Sequence, residues 1–368
     1  MHVMSVEPDP ASAVSARRTS SAAVRAERAR ARADARLSGA IADFFLPEGD
    51  RLDERTRLML ARVLNGIVAA IEADIRRHAA RLLVGRGATG RAETVLTSGG
   101  DIANRLAKAG LLRDRALIDE LLARVRHDLI ADALPTAVAG PDEASLIVRL
   151  AGVPDTIVAA AATALLAAES RRRSANASGI AGNSELPAEL HHRIVWWIAA
   201  GIREALGTSD RETDRAIADA AQRSLAGHDE GERVDAVAMR LAVAVDARAD
   251  ELAGLLIEAI GDRQLAFFVA IIACALGIGH DAARAIVIEP DGERLWLALR
   301  ALALDRPTIA RIGLALADAD PARDLEAFAD ALDDIAAVDP GEAAAALAPL
   351  SLDRDFRAAL AALARHPA

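Results

Sequence analysis

The chain is short of aromatic residues and of cysteine. Only 2% of its 368 residues are aromatic, none is tyrosine, and Cys274 is the single cysteine. One cysteine excludes an intramolecular disulfide and argues against a cysteine-based zinc site, which fits a reducing compartment. Lysine is nearly absent as well, with Lys108 alone among 44 basic residues. Such a preference for arginine follows more readily from a GC-rich coding sequence than from an organelle transit peptide. Long apolar runs are also missing. The longest uncharged stretch, Gln264 to Gly279, has 16 residues, fewer than the roughly 20 that a helix needs to cross a bilayer. It is expected to be a buried helix of a soluble protein. The N-terminus carries Glu7 and Asp9 and lacks an uninterrupted apolar segment, so it does not read as a secretory signal. The expected location is cytoplasmic.

What is present points to helices. The composition is 52% hydrophobic, much of it Ala and Leu, and 27% charged, with Arg, Asp and Glu carrying the charge. A chain of this length exceeds what one core organises, so two domains or a repeat array are expected. The net charge of −10 argues against non-specific binding of nucleic acid or anionic membranes by the body of the protein. The charge is uneven, because seven arginines between Arg17 and Arg36 face only Glu27 and Asp34.

The expected organisation is a flexible basic arm over 1–36, an N-terminal helical lobe over 37–173, a linker over 174–186 and a C-terminal helical repeat lobe over 187–368. In the arm, Arg25, Arg28, Arg32 and Arg36 recur at helical spacing on one face, and Leu37, Ile41, Phe44 and Phe45 form an apolar end able to dock on the body. The stripe Leu60, Leu64, Ile67, Val68, Ile71 and Ile75 marks the clearest helix of the first half, its other face carrying Arg62, Glu72, Arg76 and Arg77. A further helix is expected over Arg115–Ala133, capped by Asp114, with Ile118, Leu121, Leu122, Val125 and Leu129 buried. The linker reads SANASGIAGNS over its first eleven residues, small and polar with two glycines. Helices follow to the C-terminus, and no window alternates as a strand does. Asp-Arg pairs at 262, 305 and 353 precede apolar segments at offsets of 43 and 48 residues, near the HEAT and armadillo repeat lengths of roughly 40 to 47. The three aspartates are candidate helix caps.

The segments LDERTRLMLARVLNGIVAAIEADIRRHAARL, SGGDIANRLAKAGLLRDRALIDELLARV, LPAELHHRIVWWIAAGIREAL and LLIEAIGDRQLAFFVAIIACALGIGHDAARAIVIEPDGERLWLALRALAL resemble the bacterial family catalogued as domain of unknown function 2336. Together they sample the chain from about residue 50 to 320. The resemblance implies an all-α, HEAT-like protein of the bacterial cytoplasm and brings no activity or functional residue with it. GRGATGR, after the first long helix, is richer in glycine than the family pattern at that place.

Candidate chemistry is sparse. Gly85, Gly87 and Gly90 spell G-x-G-x-x-G, but a helix precedes them, and Arg91 and Ala92 stand where a phosphate loop needs Lys and Ser or Thr. A helix-terminating turn is the better reading. His191 and His192 are adjacent and point about 100° apart on a helix, so they do not share a metal easily. Cys274 sits in an apolar run and reads as a small core residue. No grouping specifies a catalytic triad, so no catalytic, cofactor-binding or metal residue is assigned. Two surfaces remain. Trp196 and Trp197 cannot both face one core contact, so one indole is expected inside and the other at the surface, where tryptophan is frequent in binding hot spots. The alternative, that both indoles are absorbed by packing between helices on two sides, is the preferred one. The arginine face of the arm is either a solvated tail or an interaction site. The adopted reading is a non-catalytic protein-binding or scaffolding module, with another protein as partner and no cofactor. The alternatives are an enzyme with a site between the lobes, or a nucleic-acid or anionic-surface binder acting through the arm.

Overall fold

The computed structural model describes residues 24–34, 36–40, 52–136, 144–178, 184–207 and 210–365. The expected tail before residue 24, and Ile41, Phe44 and Phe45 with it, lie outside these residues. Every regular element described is a helix: α1 (24–34 and 36–40), α2 (Glu54–Gly85), α3 (Thr89–Thr97), α4 (Ile102–Lys108), α5 (Arg115–Ala133), α6 (Leu146–Ala151), α7 (Thr156–Ser178), α8 (Ala188–Ala205) and α9 (Arg211–Ala226). There follow α10 (Val234–Val245), α11 (Leu252–Gly261), α12 (Leu265–Leu276), α13 (His280–Val287), α14 (Glu293–Ala301), α15 (Arg306–Ala319), α16 (Leu325–Ala336), α17 (Pro340–Leu347) and α18 (Arg354–Ala364). The protein is all-α.

Caps set many of the helix starts. Asp53, Asp114, Asp305, Asp324 and Asp353 each accept a hydrogen bond from a backbone N–H two or three residues on, satisfying a donor that the first turn leaves open. Asp262 departs from the expectation. It follows the end of α11 and accepts from the Leu146 N–H instead of capping α12. The glycine-rich turn after α2 stops the helix by backbone geometry. Gly87 is left-handed at φ 78°, and the Ala88 N–H reaches back to the Leu83 carbonyl at 2.9 Å, a C-terminal cap that a side chain at Gly87 would strain. In the segment expected as a linker, 174–178 continue α7, because its alanines and serines are compatible with helix and Ser178 Oγ can donate to the Ser174 carbonyl one turn back.

The chain forms two compact units, each discontinuous in sequence. The α2 unit comprises 39–126 and 163–237, and the α12 unit comprises 1–38, 127–162 and 238–368. In the α2 unit, α2 buries the predicted stripe from Leu60 to Ile75 and extends it through Ala79, Ala80 and Leu83, packing against α3, α4, α8 and α9. Arg76 was expected on the outer face but is buried. Its Nη1 donates to the Val95 carbonyl at 2.6 Å and to Ser98 Oγ at 2.7 Å, while Nε holds Glu72 at 2.8 Å. A cation is thereby placed on the carbonyl end of α3, where the helix dipole favours it. On α5, Leu129 is half-buried, its stripe position being shared with the buried Ile130, His127 and Asp128.

In the α12 unit the apolar run behaves as its composition requires. Leu265 through Ala273 are buried without interruption, as expected of a helix that is apolar all round. α11, α13 and α14 pack on it. Cys274 is half-buried rather than a core residue, since it lies just past the end of the buried run, and burial still raises its thiol pKa. No single described helix is long and apolar enough to cross a membrane; α12 and α13 reach that length and composition only together, across a bend of 119°.

Candidate functional site

Within the α12 unit, α14, α15 and α16 enclose a cavity of about 540 Å³. Two glycines shape it. Gly292 precedes α14 in the left-handed conformation at φ 66°, and a Cβ there would lie 2.8 Å from the Trp296 ring, so the indole rests on bare backbone. Gly313, buried in the middle of α15, does the same for Phe328 of α16, whose ring occupies the place of the missing Cβ. A glycine inside a helix costs about 1 kcal/mol relative to alanine, and close ring packing offsets that cost here. The two rings meet with centroids 4.5 Å apart at 35°, a tilted arrangement suited to their quadrupoles. Trp296 is 8% exposed, Phe328 is half-buried, and Leu297, Ile335 and Val338 complete an apolar wall.

The rim is charged, and its charges are unequally satisfied. Arg32 of α1 pairs with Glu293 at 2.6 Å and lies 3.4 Å from Asp291, while Arg36 pairs with Asp291 and stands 3.9 Å from the buried Glu289. Glu289 also receives Arg294 Nε at 2.9 Å, and burial raises its pKa against the pull of Arg294 and Arg36. Asp324 caps α16. The basic groups that line the cavity are less committed. Among the described residues, Arg300 donates to the backbone carbonyls of Val338 and Leu304. Arg323, 8% exposed, donates to the Val287 carbonyl and lies 3.7 Å from Asp320, and its Nε and Nη1 have no hydrogen-bond partner among the described residues. Desolvation lowers its pKa, and Asp320 and Glu289 oppose that effect. Arg25 reaches the cavity from α1 and is exposed.

The predicted site residues are thus divided. Arg32 and Arg36 hold α1 to the acidic turn at 289–293, Arg25 lines the cavity, and Arg28 is exposed. Residues 24–34 and 36 of the expected flexible arm are helical and docked through Arg32 and Arg36, and Ala29 between the arginines is fully buried. In the α2 unit, Trp196 and Trp197 are both half-buried. The expected division into one inside and one outside is not seen, because Ile194, Val195, Ile198 and Ile202 occupy the core side of α8 and the two indoles flank that stripe. Trp196 Nε1 donates to His192 Nε2 at 3.2 Å. His191 is buried, bonded to Ser184 Oγ at 2.9 Å and stacked on His228 at 4.0 Å. Its pKa is pushed down to about 4, first by burial and then by His228.

Sequence reasoning missed the cavity because its parts lie on three helices. One signal was available: Gly313 interrupts an otherwise good helical pattern, as a glycine does where another group comes close. A second depression of about 400 Å³ in the same unit is lined by Arg149, Glu258 and Asp262. There Arg149 pairs with Glu258 and Asp262 accepts from Leu146, so its polar groups satisfy one another.

The model of one bacterial family matches residues 106–348, more than half of the chain. The match contains the cavity apart from Arg25, and it excludes α1 and α18. No curated protein and no solved structure matches the chain. The chain belongs to DUF2336, a family described as uncharacterised proteins conserved in bacteria.

Proposed function

We propose that the protein is a non-catalytic binding module of the bacterial cytoplasm whose cavity in the α12 unit receives an apolar side chain of a partner polypeptide. The observation that carries this reading is the pair of rings, Trp296 and Phe328, seated on Gly292 and Gly313 around a space of about 540 Å³. Ligand pockets commonly measure ~300–1,000 Å³ and combine apolar walls with a few polar groups, and aromatic residues are frequent at binding hot spots. The described residues of the lining include no Ser, Thr, Cys, His or Lys, and its side chains able to exchange a proton are the carboxylates of Asp291, Glu293, Asp324 and Asp334. The basic arm is a weaker basis for function, since Arg32 and Arg36 are already paired within the chain.

A peptide-display selection on the full-length protein tests the reading, with Gly313→Leu as the counter-selected variant. Peptides enriched for a large apolar residue, bound by the wild type and lost in Gly313→Leu and Phe328→Ala, are the expected result. Equal retention by all three proteins, or no enrichment, would reject the cavity as the binding site.

A further inference from the structure

The charges around the cavity specify more than an apolar guest. Of the acids on its lining, Asp291 and Glu293 are held by Arg36 and Arg32, and Asp324 is engaged as a helix cap. Asp334 is exposed and has no such role among the described residues. Against it are three guanidiniums. Arg25 is exposed at the cavity, Arg300 donates to backbone carbonyls, and Arg323 is buried beside Asp320 with two donors that have no hydrogen-bond partner among the described residues. Arginine is always protonated, and the buried Arg323 guanidinium, whose ion pair with Asp320 spans 3.7 Å, carries a desolvation cost that an incoming anion would further offset. The charge is delocalised over the guanidinium, so a carboxylate on the cavity side of Arg323 is attracted through the low-dielectric wall even where the nitrogens themselves are covered.

Building on the reading of the cavity as a peptide site, we infer that the partner segment carries a carboxylate beside its apolar group, so that the rings take the apolar side chain while Arg323, Arg300 and Arg25 take the anion. The carboxylate has two sources in a polypeptide, an Asp or Glu side chain and a chain end. Both place a planar acceptor pair within a few ångströms of the neighbouring side chain, as arginine recognition favours.

Four small probes separate these outcomes: acetyl-Asp-Phe-amide, acetyl-Phe with a free carboxylate, acetyl-Asn-Phe-amide and acetyl-Lys-Phe-amide. Their affinities are measured by ligand-observed NMR titration with the full chain and with Gly313→Leu, Arg323→Met and Arg25→Gln. At least one carboxylate probe is expected to bind about tenfold more tightly than the Asn probe, and the Lys probe least. Whichever carboxylate probe binds more tightly identifies the source. Arg323→Met keeps the volume and removes the charge, so it should bring the carboxylate and Asn probes close to equality without abolishing binding of the latter. Arg25→Gln, on an exposed residue, should narrow the gap in a protein whose fold is undisturbed. If the four probes bind alike and Gly313→Leu abolishes them all, the cavity stands as a peptide site and the anion inference fails. Tighter binding of the Lys probe would overturn it as well. Binding that is indifferent to Gly313→Leu, or absent for every probe, would reject the site itself.

Discussion

Arg233 of the α2 unit and Arg323 of the α12 unit are buried to the same depth, at 9% and 8% exposure, yet their surroundings differ. Arg233 reaches three carboxylates: Nη2 lies 3.1 Å from both Glu120 and Asp235, and Nη1 lies 3.3 Å from Glu230. Glu120 and Asp235 are themselves buried. Arg323 has a carbonyl and one carboxylate at 3.7 Å. Each keeps at least one buried donor without a hydrogen-bond partner among the described residues, Nε in Arg233 and both Nε and Nη1 in Arg323, so what separates them is the number of carboxylates, three against one. On the proposed reading the first arginine serves the fold and the second a ligand, and stability measurements can break the contrast.

The largest effect is expected from Arg233→Met. It leaves Glu120 and Asp235 buried without their shared guanidinium, and loss of one partner from a buried pair costs about 3–5 kcal/mol. Arg323→Met should cost less than about 1 kcal/mol, because an apolar replacement for a poorly compensated buried charge is often neutral. Urea unfolding midpoints for the two variants provide the comparison, and equal losses would remove the distinction.

A second contrast concerns pH. His191 sits neutral in the α2 unit between Ser184 and His228. Its folded pKa of about 4 lies below the ordinary value of 6.5, so between these limits the unfolded chain binds a proton that the native state refuses. Stability should therefore fall as pH drops from 6.5 to 4, be unaffected by this group above 6.5, and change no further because of it below 4. The full window corresponds to about 3 kcal/mol at most. The slope of stability against pH should be shallower in His191→Gln than in the wild type, and identical slopes would contradict the assignment.

Two helix-interior glycines sharpen the comparison between units at a smaller scale. On α8, a Cβ at Gly201 would meet Ile102 Cγ2 at 3.1 Å, a contact that a small shift relieves, whereas at Gly313 it would fall within the Phe328 ring. Alanine gains about 1 kcal/mol of helix propensity at either site, while overpacking costs about 1–3 kcal/mol. Gly201→Ala should thus be near neutral, and Gly313→Ala should lose about 1 kcal/mol and shift the Trp296 environment. Thermal unfolding together with near-ultraviolet circular dichroism reads both quantities.

These residues also show what was legible in the sequence. Periodicity located α2, the bounds of α5 agree with the expected ones, and α12 lies within the expected run Gln264 to Gly279, because a stripe such as Leu60 to Ile75, or an unbroken run such as Leu265 to Ala273, is local information. Capping by Asp114, Asp305 and Asp353 was readable for the same reason. Arg76, Glu120 and Arg323 were not legible as buried groups, since an arginine or glutamate on a helix looks solvated until its distant partners are known. The arginine face of α1 was recognised as a surface, but its acids lie some 255 residues away in sequence. The cavity depends on Gly292, Gly313, Trp296 and Phe328 meeting, and only the fold brings them together.

The smallest expected effect belongs to α18, which contrasts with α12 inside one unit. The two helices are similar in length, but α12 has nine consecutive buried residues and α18 has none. Phe356, Leu360 and Leu363 recur at i, i+4 and i+7 on α18 and are 54%, 43% and 70% exposed. One hold on the helix is Arg357, whose Nη1 donates to the Leu350 carbonyl at 2.7 Å. Since an exposed side chain loses little on truncation, Phe356→Ser should change the unfolding free energy by no more than about 0.5 kcal/mol, against about 3–5 kcal/mol for Phe268→Ala in α12. Measuring Phe356→Ser at two protein concentrations makes the test sharper. A cost above about 1 kcal/mol that grows with concentration would mean that a second copy covers this face, while a large cost independent of concentration would mean that α18 packs on the chain more closely than its exposure indicates.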